Sequence, residues 1–466
     1  MNKRAGCLIA MRPKIFIASM LVMMTIAALP MAGLCQPRVV GYYPGWMKTK
    51  LPATAVKFEY ITHINHAFAW PLANGDIAAY SEITHPDLIA ATHQAGRKIL
   101  ISLGGWGQSE GFAPMSADSS VRKKFVQNLI AFCETRGYDG ADFDWEFPEN
   151  ATQRANLTTL IKEVRQAFNQ THPEWLLTMV AVASNWNGQW HEYATLSQYV
   201  DWFNLMAYDF HGTWTTHAGH NSPLYAPTTD FEGSAHQGIL YLRNQRGIPK
   251  NKIHLGAPFY GREFNASRLY GPSTGGTDME YSAVVPRMNS GWEYFWDDVS
   301  KTPYLLNTAR TRFVTFDDSL SLTGKCEYVK QNGLAGIMIW ALGQDVMNST
   351  QPLMEAVGHD MATNTEVFDK EHEALKGFEL FNNYPNPLSG SREAATAITF
   401  TLAREAPINL SVYTLAGELV AVLKEGRAAP GRHTINWEAK GCASGVYYYR
   451  LSTASFSQTK ALLLLK

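Results

Sequence analysis

From Arg38 to about Ala362, short apolar runs alternate with stretches whose apolar residues recur every three or four positions, the pattern of strands each followed by a helix. Strand candidates are Arg38 to Tyr43, Ile61 to Ala69, Lys98 to Leu103, Gly140 to Glu146, Leu176 to Ala183, Asp201 to Ala207, Ile253 to Pro258 and Gly336 to Ala341. Between the third and fourth, Val121, Phe125 and Leu129 follow the capping candidate Asp118, and Gly137 supplies a stop. Leu157, Ile161, Val164 and Phe168 repeat the pattern before the fifth. Eight strands with intervening helices predict an α/β fold, a closed (β/α)8 TIM barrel whose site lies where the strands end. A doubly wound open sheet is the alternative. The interval from Arg262 to Gly333 is too long for one helix, and its Tyr, Trp, Gly and Pro content predicts a small inserted α+β lobe over 263–333, within a barrel domain of 36–362.

Beyond Ala362 the texture changes. A polar stretch around Asn364 to Lys376 reads as a linker, 363–380, followed by Asn383-Tyr384-Pro385-Asn386-Pro387. Period-2 alternation then runs through Ile398 to Leu402, Ile408 to Tyr413, Thr434 to Trp437 and Val446 to Leu451, which predicts an all-β sandwich over 381–466.

At the other end, Lys3, Arg4, Arg12 and Lys14 precede an apolar run from Ile15 to Leu29 and the small residues Ala32 and Gly33, the pattern of a secretory signal peptide over 1–35. That run is shorter than the ~20 residues a membrane span needs, so no stable span is expected and the protein is expected to be secreted or held at the cell surface. Lys plus Arg total 40 against 41 Asp plus Glu, and without a basic block there is no footprint for nucleic acid. Cys133, Cys326 and Cys442 have neither disulfide-framework nor zinc-ligand spacing, and no metal and no cofactor are expected. Aromatic residues make up 12% of the chain, and flat rings with polar rims suit stacking on sugar faces.

The most informative segment is Asp139-Gly140-Ala141-Asp142-Phe143-Asp144-Trp145-Glu146. In an extended strand Asp142, Asp144 and Glu146 share one face, while Ala141, Phe143 and Trp145 share the other. Crowded carboxylates cannot all stay ionised cheaply, so at least one should retain a proton near neutrality, as a general acid requires. Glu146, last in the strand, would stand nearest the barrel mouth. A solvated acidic loop leaves the alternation unexplained, and a calcium loop would need a glycine turn that is missing.

This segment resembles the signature of family 18 glycoside hydrolases, the chitinases, and further motifs follow in the family's order: Ser102-Leu103-Gly104-Gly105-Trp106, Met206-Ala207-Tyr208-Asp209, Pro258-Phe259-Tyr260-Gly261-Arg262 and Met338-Ile339-Trp340. Phe147 follows the acid where many members carry Tyr. The resemblance implies hydrolysis of β-1,4 bonds between N-acetylglucosamine units, in chitin or chitooligosaccharides, by the substrate-assisted exception to the two-carboxylate scheme. It implies Glu146 as acid and base, Asp144 as the partner of the acetamido N–H, Asp142 sharing a proton with Asp144, Tyr208 holding the acetamido oxygen and Asp209 tuning the cluster. Substrate contacts implied are Trp340 beneath the sugar, Trp106 beyond the scissile bond, Gly105 beside Gly104, Met206, Tyr260, Arg262, Phe68 and Met338. Asp139, of opposite parity, reads as structural, and Trp186, Trp190, Trp214, Trp292 and Trp296 are candidates to extend the platform. An endo-β-N-acetylglucosaminidase acting on N-glycans and a non-catalytic chitin-binding lectin are the alternatives; the intact Glu146 disfavours the lectin.

The tail resembles the C-terminal sorting domains of the type IX secretion system, through Tyr384-Pro385-Asn386-Pro387, Leu415-Ala416-Gly417, Gly445-Val446-Tyr447 and a closing strand ending in Lys466. That machinery is the implied partner; a sugar-binding module using Trp437, Tyr447 and Tyr449 is the rival.

Overall fold

The computed structural model describes residues 37–227, 229–289, 291–361, 379–383, 386–389, 395–402, 405–414, 418–453 and 457–465. The signal-peptide segment, most of the linker, Tyr384, Pro385, Leu415-Ala416-Gly417 and Lys466 lie outside the described residues.

In chain order the strands of the first region are β1 (Arg38–Pro44), β2 (His63–Pro71), β3 (Ile77–Ala79), β4 (Lys98–Gly104), β5 (Gly140–Asp144), β6 (Leu176–Val182), β7 (Trp202–Met206), β8 (Ile253–Pro258), β9 (Tyr260–Phe264), β10 (Gly276–Glu280), β11 (Trp292–Asp297), β12 (Thr302–Asn307), β13 (Phe313–Thr315) and β14 (Gly336–Trp340). β1, β2, β4, β5, β6, β7, β8 and β14 pair in parallel, and β1 contacts both β2 and β14, so the sheet closes on itself. The open-sheet alternative is excluded. The apolar runs marked all eight barrel strands to within two residues. The one consequential difference is at β5, which ends at Asp144, so Glu146 stands past the strand rather than last in it.

Two apolar layers hold the barrel. Outward residues of the strands, such as Phe143 and Leu177, pack against helices including Ser119–Arg136 and Ala151–Thr171, whose Phe125, Leu129, Leu157, Ile161, Val164 and Phe168 are buried. Asp118 caps the first of these helices through the N–H groups of Ser120 and Val121, and Gly137 closes it in a left-handed conformation. Inside the barrel, Val40, Tyr42, Ala67, Phe68, Val180, Trp202 and Met338 form a separate cluster. This fills the lumen below the mouth.

The interval assigned to the inserted lobe divides differently. Its strands form an antiparallel sheet of order β10-β9-β13-β12-β11 that begins at Tyr260, directly after β8, and ends at Thr315. The remainder is the helix Ser319–Asn332, capped by Asp318, which packs on β8 and β14 as a barrel helix.

The tail consists of β15 (Glu379–Leu380), β16 (Leu388–Ser389), β17 (Ala395–Leu402), β18 (Ala406–Thr414), β19 (Leu419–Ala428), β20 (Gly431–Glu438), β21 (Gly445–Ser452) and β22 (Ser457–Leu465), in one sheet of order β15-β17-β20 and another of order β16-β22-β21-β18-β19. Alternate residues such as Ile398, Phe400, Leu410, Val412, Leu451 and Leu464 meet in the core. Trp437, Tyr447 and Tyr449 are buried there too, and the Tyr449 hydroxyl donates to the carbonyl of Phe381 at 2.8 Å. These rings are packing residues and leave no face for a sugar.

Gly140 opens β5 with φ of +138°, and a Cβ there would stand 2.0 Å from the carbonyl oxygen of Leu176. Gly140→Ala is expected to lower the unfolding free energy by roughly 2 kcal/mol or more, read by urea denaturation. A loss under ~0.5 kcal/mol would contradict the described closeness of β5 to β6.

Candidate active site

The register of β4, β5 and β6 aligns Ser102 with Asp142 and Asp142 with Thr178, so three inward polar side chains lie abreast. Asp142 Oδ2 accepts from Tyr42 Oη at 2.7 Å and Ser102 Oγ at 2.9 Å; its Oδ1 accepts from Thr178 Oγ1 at 2.5 Å and Asn204 Nδ2 at 3.2 Å. Asn204 Nδ2 also reaches Tyr42 Oη at 3.2 Å, which directs the phenolic proton toward Asp142. Full burial raises the pKa of Asp142 and these donors pull it back. The shared proton between Asp142 and Asp144 is not formed as a hydrogen bond in this arrangement, because both oxygens of Asp142 are engaged by other donors. Asp144 instead keeps Oδ1 buried and without a hydrogen-bond partner. Burial, then Glu146 and Asp142, push its pKa well above the ordinary carboxylate range.

Glu146 follows the strand on a short segment held from behind. Its backbone N–H donates to Ser109 Oγ at 2.9 Å, and that hydroxyl lies 3.2 Å from the Gly105 carbonyl and 3.3 Å from the Asp144 carbonyl. Burial, followed by repulsion from Asp209, lifts the Glu146 pKa to about 7, against a smaller opposing bond from the backbone N–H of Trp106. The outward face behaves as the alternation predicts: Phe143 is fully buried and Trp145 stacks on Phe112 with centroids 5.2 Å apart. Asp139, at the opposite end of the strand, accepts from Lys98 Nζ at 2.7 Å and the Ile99 N–H at 2.9 Å, a structural role.

Tyr208 sits within reach of the acids, and burial and the charges of Asp144 and Asp209 raise its pKa well above the usual phenol value. Its ring meets that of Tyr260 edge-on at 6.1 Å. Asp209, with φ of +61°, accepts from the Tyr260 hydroxyl and from Arg262 Nη2 at 2.6 Å, while its N–H donates to Asn221 Oδ1 at 3.1 Å. The Arg262 guanidinium also lies over the Trp214 ring at 4.8 Å. Arg262 is therefore a bridge between Asp209 and an exposed tryptophan.

Trp340 meets the Tyr42 ring edge-on at 5.6 Å and stacks on Phe68 at 5.7 Å. Phe68 is buried beneath it and supports the platform rather than forming its surface. Met338, two residues earlier on the same face, is fully buried in the lumen cluster, so this candidate is a packing residue; Met206 is half-buried at the edge of that cluster. Packing alone already requires Gly105: a Cβ there would stand 2.6 Å from the Phe68 ring, and Gly104 likewise abuts the Asp144 carbonyl.

Trp106 is 82% exposed, Trp186 80%, Trp214 59% and Trp46 50%. Each lies in the segment following a barrel strand, β4, β6, β7 and β1 in turn, so these rings surround the mouth. Trp190 is half-buried, and Trp292 and Trp296 lie on the outer strand of the antiparallel sheet. Sequence reasoning missed Trp46, Tyr42, Thr178, Asn204, Ser109 and Asn221. For Tyr42, Thr178 and Asn204 a signal existed, since each is a polar residue at an inward position of its strand.

Buried acids with raised pKa values beneath a rim of exposed indole rings are the equipment of a glycoside hydrolase. The sequence profile of glycosyl hydrolases family 18 matches residues 38–345, and the chain belongs to this family. The probable endochitinase of Caenorhabditis elegans is 33% identical over 324 residues, 62% of this chain and 52% of that protein. Chitinase A1 of Niallia circulans is 30% identical over 298 residues, 56% of this chain and 42% of that protein. The chain thus spans about half the length of these curated relatives. Among solved structures, a family 18 N-acetylglucosaminidase from Paenibacillus barengoltzii aligns with a TM-score of 0.64 at 28% identity, covering 70% of this chain and 99% of that one. An Ostrinia furnacalis Group IV chitinase aligns at 0.65 and 26%, covering 70% of this chain and 100% of that one.

Thr178→Val removes one donor from Asp142 and raises its folded-state pKa further. The ionised form is then penalised, so the destabilisation is small at acid pH and grows as pH rises, reaching about 1–3 kcal/mol at neutrality. Urea unfolding across that pH range checks this, and a pH-independent loss would contradict it.

Proposed function

We propose that the chain hydrolyses β-1,4 bonds between N-acetylglucosamine units of chitin or chitooligosaccharides, with retention of configuration and with the substrate's acetamido oxygen as nucleophile. The observation that carries this reading is the buried, unpartnered Oδ1 of Asp144, held beside an acid whose pKa is lifted to about 7. An uncompensated buried acceptor is costly, and an acetamido N–H entering the site would satisfy it. Family membership and the chitinase names of the relatives support the same substrate class.

In this mechanism protonated Glu146 gives its proton to the glycosidic oxygen as the bond from that oxygen to the anomeric carbon breaks. The acetamido carbonyl oxygen attacks the anomeric carbon from the opposite side, forming an oxazolinium ion, with the high effective molarity of an intramolecular nucleophile. Asp144 accepts the acetamido N–H at its unpartnered Oδ1, and the Tyr208 hydroxyl orients the carbonyl oxygen. Water then attacks the anomeric carbon while the Glu146 carboxylate takes its proton, so two inversions give retention and the acid is restored. Trp340 carries the sugar at the cleavage point, and Trp46, Trp106, Trp186 and Trp214 offer exposed faces around the mouth on which further sugar units can stack.

We also propose that the protein is exported. The basic residues ahead of the apolar run at 15–29 support a secretory leader, and the β-sandwich at the C-terminal end supports recognition by type IX machinery. No helix among the described residues is long and apolar enough to cross a membrane.

Glu146 must be protonated to begin the reaction and lies at about 7 in the free protein, so kcat/KM should fall as pH rises through that value. A profile flat to pH 9 would contradict the assignment. Glu146→Gln should reduce kcat by roughly 10²-fold or more with little change in oligomer binding; near-parental turnover would remove Glu146 from its role. Fully deacetylated polymer, lacking the internal nucleophile, should be inert in a reducing-end assay, and its rapid cleavage would refute the mechanism while leaving the family assignment intact.

A further inference from the structure

The segment that follows β7 carries a second group of donor atoms, apart from the acids. His211, His217 and Asp230 bring one ligand atom each to within 4.8 Å of one another. His211 Nε2 lies 3.1 Å from His217 Nε2 and 3.4 Å from Asp230 Oδ1. Donors held ~2.0–2.1 Å from a tetrahedral zinc ion stand about 3.3–3.4 Å from one another, a separation that the two contacts of His211 bracket, while the His217 and Asp230 atoms lie within 4.8 Å.

The tautomer fits as well. His211 Nδ1 lies 3.0 Å from the carbonyl oxygen of His220, which fixes the ring proton on Nδ1 and turns the Nε2 lone pair toward the other two donors. A hydrogen bond between the two imidazoles and an ion pair of His211 with Asp230 Oδ1, which also accepts from the Glu232 N–H at 3.1 Å, account for these contacts but leave Asp230 Oδ2 buried with no partner. The side chains of His211 and Asp230 are 0% and 1% exposed, so bulk water does not compensate that oxygen.

We propose that His211, His217 and Asp230 bind one divalent ion of the zinc class, with a structural role. Two imidazoles and one carboxylate suit a borderline ion, whereas calcium and magnesium require a fuller set of oxygen donors. A water completes the tetrahedron. The ion ties together the two ends of a loop that places Trp214 over Arg262 and contributes Asn221 to Asp209, so it stiffens one wall of the cleft without entering the reaction. Backbone bonds from Ala218 to the Gly271 carbonyl, 2.9 Å, and from Ser273 to the Thr216 carbonyl, 3.1 Å, already fasten the middle of this loop to the segment after β9. Cysteine spacing was no guide to this site, since it uses none, and a His-x5-His pair with an acid thirteen residues further on matches no familiar zinc motif.

The test uses the full chain, stripped with a chelator, dialysed and titrated with zinc chloride by calorimetry, with bound metal measured by elemental analysis. The expected result is one ion per chain, and a thermal midpoint that rises with zinc. His211 fills the space beside Gly219, so its replacement risks misfolding; truncation of half-buried His217 and the near-isosteric Asp230→Asn, which keeps the volume of the buried side chain, avoid that difficulty. His217→Ala and Asp230→Asn should each weaken zinc binding by at least about tenfold and abolish the thermal response, with far-ultraviolet circular dichroism unchanged. Binding well below one ion per chain in the parent protein, or affinity unchanged in both variants, would overturn the proposal. Neither outcome bears on the acetamide mechanism, which is read from substrate cleavage alone.

Discussion

The whole arrangement turns on the cost of holding neighbouring carboxylates in a poorly hydrated space. β5 projects Asp142 and Asp144 to one side, and the segment beyond it adds Glu146, with Asp209 arriving from the end of β7. Charge cannot be placed on all of them without large repulsion. The barrel resolves this unevenly. Asp142 receives four donors that oppose the effect of burial; Asp144 has an oxygen with no partner; Glu146 is lifted toward neutrality by burial and by Asp209. The differences between three chemically similar groups are therefore differences of environment, and environment is set by strand register.

That dependence explains why much of the molecule is committed to support. Phe68 backs Trp340, and Gly105 is small so that Phe68 can lie there. Ser109 links the segment after β4 to the Glu146 backbone, so movement of one is felt by the other. Arg262 joins Asp209 to Trp214, coupling a charge that bears on the acid to a ring exposed at the rim. The His211, His217 and Asp230 group sits at the base of that same loop. Binding surface and proton chemistry thus share a framework, and a change at the rim can alter the acid without touching it.

The sequence was legible where one physical rule dominated. Strands buried on both sides are runs of apolar residues, and the eight runs mark the eight barrel strands; alternation likewise separates Phe143 and Trp145 from the acids. It was less legible where contacts join distant positions. Nothing local shows that Tyr42, Ser102, Thr178 and Asn204 converge on one carboxylate, because their meeting depends on the curvature and register of a closed sheet. Met338 and Phe68 illustrate a related limit: a motif places a residue near the site but does not give its depth, and both are buried beneath the platform. The division of 262–333 into a sheet and a barrel helix was obscured because Ser319–Asn332 carries polar residues that its capped, packed position buries, including Ser321 and Lys325.

The central claim is that the folded protein holds the Glu146 side chain protonated near neutrality. Difference infrared or carbon-13 spectroscopy of the labelled glutamate carboxyl, comparing the parent with Glu146→Gln, measures that titration directly. The account predicts a midpoint near 7. A midpoint at the ordinary glutamate value of 4.5 would contradict it.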